Sequence, residues 1–239
     1  MSISELLFLV VIFIANTFEA MTGFAGTLLA MPASMMLLGL YEAKAILNII
    51  AVIMCVVIAF LNYKYINWRE LGKILIFMLI GMVAGMIVFE KLSADFLLNV
   101  YAIIVMFIAG KNLFVKTKVK SKASFYHLLI VVIAGIIHGM FLSGGALLVV
   151  YALITLRDKF EFRATIAAVW VVLDSIMLVN QIRLGYVDRD IITLTLYSIL
   201  PLVGAVLLGN FLHQYIKQRT FFIITYILVF VSGVSLIVY

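Results

Sequence analysis

The chain has 239 residues, 67% of them apolar and only 12% charged, with a mean hydropathy of +1.28, and a water-soluble domain of this length is not built from so few polar groups. Its formal charge of +6 comes from basic residues scattered over short loops, the distribution that membrane topology itself produces, so the sequence argues against a nucleic-acid partner. The single cysteine, Cys55, rules out a disulfide framework, and the apolar runs lack the period-two alternation of a membrane barrel.

In chain order, the opening MSISELLFLVV has no basic segment and no small-residue cleavage site before a polar region, and it reads as a retained helix. The apolar region 3–40 is too long for one crossing and is interrupted by TGFAG, residues 22–26. Spans are predicted at 44–62, 74–90 and 95–114. The basic stretch KTKVKSKASF, 116–125, is the one plausible linker, and a second long apolar region, 126–156, is interrupted by FLSGG, 141–145. Spans at 164–182, 191–212 and 221–239 complete the chain. The interrupted regions divide into pieces of about 12 to 17 residues, short of a comfortable crossing at 1.5 Å per residue.

An offset of 119 lays GTLLAMPASMMLLGLYEAKA (26–45) on GALLVVYALITLRDKFEFRA (145–164) and also pairs Glu19 with His138. With a few residues of slippage, IGMVAGM (80–86) resembles VGAVLLGN (203–210). The chain is therefore a duplication, 1–115 and 126–239, each half holding one broken unit and three spans. If the broken units are full crossings, the 17 Lys and Arg residues divide 10 to 7 between the two sides; if each is a re-entrant hairpin, the division is 13 to 4. The positive-inside rule favours the second arrangement, with the linker cytoplasmic and both termini outside. A hairpin plus three spans is an odd number of crossings, so the expected fold is an all-α polytopic membrane protein of two inverted repeats, an organisation typical of secondary transporters.

Irregular backbone at bilayer depth is tolerated where protein or a watery cavity satisfies it. Gly23, Gly26, Gly144 and Gly145 let backbone approach a ligand closely. The half-helices expected from about Thr27 and Ala146 would present free N–H groups and positive dipole ends, which suit an anion. Thr22 and Ser143 add hydroxyls at equivalent places, and Phe24 and Ala25 complete the first break. Glycines 81, 85, 204 and 209 read as helix-packing residues, and Pro32 as a kink.

Ionisable residues inside spans are costly and make functional candidates. Glu19 and His138, one turn before the breaks, are candidate proton carriers, against a hydrogen-bonded structural role. Asp174 suits either a relay or a buried pair with Arg163 or His138. Lys44 and Arg163 are either interfacial anchors paired with Glu42 or Glu161, or substrate gates. Trp68 and Trp170 read as interface or core residues, and Asn48, Asn180 and Gln181 as interhelical hydrogen-bonders. No catalytic constellation, metal-ligand spacing or cofactor motif is present.

TGFAGTLLAMPASMMLLGL with EAKA and NWREL, then HGMFLSGGALLVVYAL with FEFRAT, together resemble the TauE/SafE sulfite-exporter family of membrane permeases over nearly the whole chain. The resemblance implies a secondary transporter of small sulfur-containing or carbon-based anions, such as sulfite, sulfoacetate or other organosulfonates, often outward. The family's glycine-rich motifs fall on Gly23 and Gly26 and on Ser143, Gly144 and Gly145. Phe24 and Ala25 stand where a denser glycine run is usual, and Ala146 where a proline often follows, which would make the pocket narrower or more apolar.

The expected function is alternating-access transport of a small anion held between the breaks, with protons as the coupling ion. The setting is multi-pass in the inner plasma membrane, where lipid surrounds the chain and a homodimer is compatible with the sequence. A passive anion channel using the same dipoles and a membrane-embedded enzyme are the alternatives. Single cysteines replacing Lys120 and Lys159 in a Cys55→Ala background are expected to react with an impermeant thiol reagent from the same, cytoplasmic, face; labelling from opposite faces would refute the hairpins.

Overall fold

The structure is a computed structural model, all-helical among the residues it describes, which are 2–89, 125–156, 158–217, 219, 220, 223, 224, 227, 230 and 234. The helices are α1 (Ile3–Thr22), α2 (Ala25–Leu38), α3 (Leu40–Leu61), α4 (Trp68–Phe89), α5 (Phe125–Phe141), α6 (Gly145–Thr155), α7 (Lys159–Arg183) and α8 (Arg189–Tyr215). The predicted span 95–114, nearly all of the linker 116–125 and most of the span 221–239 lie outside the described residues. Five helices, α1, α3, α4, α7 and α8, are long and apolar enough to cross a membrane. The 20 residues of α1 exceed the 12 to 17 expected of a half-helix: its capping box, in which Ser2 and Glu5 satisfy each other's backbone N–H groups, starts the helix at the first opportunity. By contrast α2 has 14 residues and α6 only 11. Leu6, Leu7, Val10 and Ile14 on α1 and Ile76, Ile80, Val83 and Ile87 on α4 are exposed apolar side chains, as lipid-facing residues are.

The chain forms two compact units that interleave its halves. Unit 1 comprises Met1–Ile66 and Arg163–Ile216; unit 2 comprises Asn67–Phe162 and Lys217–Tyr239. The boundary falls in the first turns of α7.

In unit 1, α1 packs on α2 and α8, and α3 packs on α2 and α8. Helices α1 and α8 run parallel. Phe13 lies against Gly204, Thr17 and Ala20 against Gly209, and the Met21 carbonyl is 2.8 Å from Nδ1 of His213. Helices α3 and α7 run antiparallel, because the amide of Gln181 donates to the Lys44 carbonyl while that of Asn48, one turn on, reaches both the Gln181 side chain at 2.7 Å and the Asp174 carbonyl at 3.2 Å. Asn48 and Gln181 are thus the interhelical hydrogen-bonders expected of them, and burial at 0% and 3% exposure makes that pairing necessary.

Unit 2 is organised by the contact of α4 with α5, again parallel. A Cβ at Gly81 would overlap the Val132 carbonyl, one at Gly85 the Ile136 carbonyl, one at Gly135 the Met78 carbonyl and one at Gly139 the Met82 carbonyl. Four glycines on two helices let backbone touch backbone, which is how helices associate in lipid, where apolar surface alone gives no drive. In the 119-residue sequence register α1 falls on α5 and α4 on α8, and the pairs α1/α8 and α5/α4 both pack in parallel through glycines.

Gly85→Leu and Gly139→Leu are therefore expected to lower the unfolding temperature sharply or to abolish monodisperse protein in detergent, with core overpacking costing about 1–3 kcal/mol or more. Gly72→Leu is the control, since nothing lies within 4 Å of the added Cβ, and it is expected to leave the melting curve in place.

Candidate functional site

The first break is a left-handed turn. Gly23 has φ +88° and donates its N–H to the Glu19 carbonyl at 2.6 Å, closing α1; Phe24 follows at φ −153°, and α2 begins at Ala25. The second has the same form at the same offset. Leu142, which the 119-residue register pairs with Gly23, has φ +55°, and its N–H donates to the His138 carbonyl at 2.8 Å. A leucine in the left-handed region is strained by roughly 1–2 kcal/mol, and such strain persists where the surroundings impose it. The sequence placed the second break at FLSGG, 141–145, and looked to its glycines for the turn; that Leu142 takes the left-handed conformation was signalled by the register that pairs it with Gly23.

Both chains turn back at these points. A Cβ at Gly26 would overlap the Glu19 carboxylate, and one at Gly144 would overlap the Ala134 carbonyl and stand 2.8 Å from Cβ of His138. Gly23 is closed in from the other side by α7, with the Arg163 carbonyl 2.9 Å from where its Cβ would be. The expected half-helix starts, Thr27 and Ala146, lie two residues and one residue inside the observed ones.

Neither α2 nor α6 receives a side-chain cap, although Ser2 caps α1 and Asp188 caps α8, accepting the Ile191 N–H at 2.9 Å. Both uncapped N-termini are buried: Phe24, Ala25, Ser143 and Ala146 are all below 5% exposed. Buried N-terminal N–H groups without a partner are costly. The hydroxyls do not supply the lack. Thr22 Oγ1 donates to the Phe18 carbonyl at 2.8 Å and Ser143 Oγ to the Phe141 carbonyl at 2.9 Å. In this structure each hydroxyl is turned to its own preceding turn, the nearest acceptor for a short side chain at a helix end.

The ionisable candidates divide between the units. In unit 1, Glu19 is 3% exposed, and its one hydrogen-bonding side-chain partner among the described residues is the Cys55 thiol, 3.3 Å from Oε1. Asp174 lies close enough for the two acids to interact electrostatically. Arg163, also 3% exposed, donates through Nη2 to Oδ1 of Asn210. It is therefore paired neither with Glu161, which accepts from Asn67 at 2.6 Å, nor with Asp174; the packing of α7 on Gly23 turns the guanidinium toward α8 instead. Lys44 is buried one turn before Asn48. In unit 2, His138 is buried against Gly144, and Tyr151 donates its O–H at 2.7 Å to Glu70, which also pairs with Lys73 at 2.6 Å.

Unit 1 thus brings together Glu19, Gly23, Gly26 and Arg163, four residues singled out in the sequence, and adds two that were not, Cys55 and Asn210. Asn210 is a lone polar side chain within the apolar run of α8, and that isolation was its signal. Cys55 offered none, because a thiol in an apolar helix is ordinary.

Against this geometry, the family described as Sulfite exporter TauE/SafE matches residues 7–236. The chain belongs to this family. Its members are transporters, and the chain is by that membership a membrane permease and not an enzyme. A curated relative, the probable inner membrane transporter protein TsaS of Comamonas testosteroni, is 25% identical over 178 residues, 74% of each chain. No solved structure matches this member of the TauE/SafE family.

Valine at Gly26 or Gly144 would push a branched side chain into Glu19 or into the Ala134 carbonyl. Each variant is expected to insert in the membrane and to lose at least nine-tenths of its transport, measured as uptake into vesicles normalised to inserted protein. Undiminished flux in both would remove the breaks from the mechanism.

Proposed function

We propose that this TauE/SafE permease is a secondary transporter of a small sulfur-containing or organic anion, such as sulfite or an organosulfonate, taken at the glycine-rich breaks and moved by alternating access with protons as the coupling ion. One observation carries the reading. Two buried helix N-termini at repeat-related positions lack any side-chain cap, although other helices of the same chain have one. Such N–H groups and positive dipole ends suit an anion; Thr22 to Gly26 line the break of unit 1 and Ser143 to Gly145 that of unit 2.

The antiparallel course of α3 and α7 supports inverted halves, because these two helices are repeat-equivalent and parallel repeats would run them the same way. Two inverted, nearly equivalent halves exchange conformations to open on either side. Both termini then face outward from an inner membrane. Direction of transport follows from the gradients.

Glu19 is the proton carrier in this scheme. An acid buried beside a break, held by a thiol and near a second acid, is costly to keep charged in a low-dielectric interior. Taking up a proton removes that charge as the anion arrives.

Uptake into inside-out vesicles of sulfite, sulfoacetate, taurine and lactate tests the reading. Saturable uptake of at least one anion, with trans-stimulation and accumulation under a proton gradient, is expected. Current that scales with driving force and shows no exchange would replace the carrier by a channel. Glu19→Gln is expected to keep anion exchange and lose gradient-driven accumulation; accumulation at the wild-type level would remove Glu19 as the carrier.

A further inference from the structure

A helix dipole contributes about half an elementary charge, and a buried cation beside it adds a whole one. Unit 1 holds a candidate beside its break. Arg163 is 3% exposed, its Nε has no hydrogen-bond partner, and among the described residues its guanidinium bonds only to a neutral amide, Asn210. A buried guanidinium normally has a carboxylate, because isolated burial of a full charge is costly. Here Glu161, the acid nearest in sequence, accepts from Asn67, and Glu19, on the far side of the Gly23 turn, accepts from Cys55. The position is fixed by backbone contact: the Arg163 carbonyl, Cα and Cγ would stand 2.9, 3.2 and 3.4 Å from a Cβ at Gly23, so no other side chain fits between α7 and the turn.

We propose that Arg163, held by Asn210 beside the Gly23 turn, is the fixed charge that binds the transported anion, and that the anion takes the place a carboxylate would fill. The planar guanidinium presents paired N–H donors that match two oxygens of one ligand. The class selected is therefore a small oxyanion, a sulfite, sulfonate or carboxylate, and not a halide. Asn210 orients the fork without neutralising it. Its amide accepts one N–H and leaves the net charge, which is why an asparagine serves at this place and an aspartate would not. The inference rests on the reading that an anion is the cargo, and it names the group in unit 1 that recognises it.

Asn210→Asp is the deciding variant, because it is nearly isosteric and gives the guanidinium an internal carboxylate, so the protein is expected to fold and to melt higher than wild type without ligand. Two readouts on purified full-length protein keep this proposal separate from the transport reading. In detergent, sulfite, sulfoacetate or lactate is expected to raise the melting temperature of the wild type, chloride is not, and the rise is expected to vanish in Asn210→Asp. In proteoliposomes, Asn210→Asp is expected to lose at least tenfold in kcat/KM, and Arg163→Lys, which keeps the charge but not the fork, to raise KM at least tenfold. Arg189→Gln, at the exposed start of α8, serves as the control and is expected to behave as wild type. Oxyanion stabilisation that persists in Asn210→Asp, or a KM within twofold of wild type in both Asn210→Asp and Arg163→Lys, overturns the proposal even if transport is confirmed. Loss of stabilisation in Asn210→Asp sustains it even if none of the three anions is carried across.

Discussion

Hydrocarbon offers no hydrogen bonds, so every backbone N–H and C=O at bilayer depth must find a partner in the protein or in what the protein holds. A continuous helix meets this requirement internally except at its ends, and the chain places most helix ends in loops, with Ser2 and Asp188 as caps. Two ends are placed otherwise. At Gly23–Phe24 and Leu142–Ser143 the chain reverses among buried residues, and α2 and α6 begin with first turns that no side chain satisfies. Under the proposed function an anion meets those N–H groups. The glycines at the turns, the shortness of α2 and α6, and the buried acid and base beside the first turn make sense as consequences of that arrangement.

The packing around the breaks follows from a second property of lipid. Apolar surface gains little by leaving one hydrocarbon for another, so helices are held by close contact and by polar groups that reach across. The glycines of α4 and α5 let backbone meet backbone over two turns, and α8 places Gly209 against Thr17 and Ala20 of α1 in the same parallel sense. Where large side chains intervene, amides do the joining, as Asn48 and Gln181 do between α3 and α7. The steric contacts secure the frame within each unit, and the hydrogen bonds set the register of helices that carry charge.

Much of this was legible in the sequence because it is written in spacing. The apolar runs gave the long helices, and the glycines with the 119-residue register gave both turns to within a few residues. The register even held where composition did not, pairing Gly23 with Leu142, which adopts the left-handed turn without being glycine. What spacing does not carry is orientation. Whether Thr22 and Ser143 donate to a ligand or to their own helix depends on a rotation about one bond. Whether Arg163 meets Glu161, Asp174 or Asn210 depends on how α7 lies on Gly23, a contact between residues 140 positions apart in the chain. The length of α1 was underestimated rather than its start: the capping box lets it run unbroken from Ile3 to Thr22.

The interleaving of the units has a consequence for biosynthesis. Helix α1 is made well before α8, yet the surface it offers from Phe13 to Met21 is complementary to α8, between Gly204 and His213. The buried acid and the half-formed turn beside it must therefore wait in the insertion machinery or in lipid while most of the polypeptide is translated. The tight glycine pairing of α4 with α5, by contrast, forms from segments that emerge close together. Assembly therefore runs out of chain order, with α4 and α5 able to pair before α1 meets α8, and a stop codon ahead of α7 would leave the Gly23 turn with no wall to lean on.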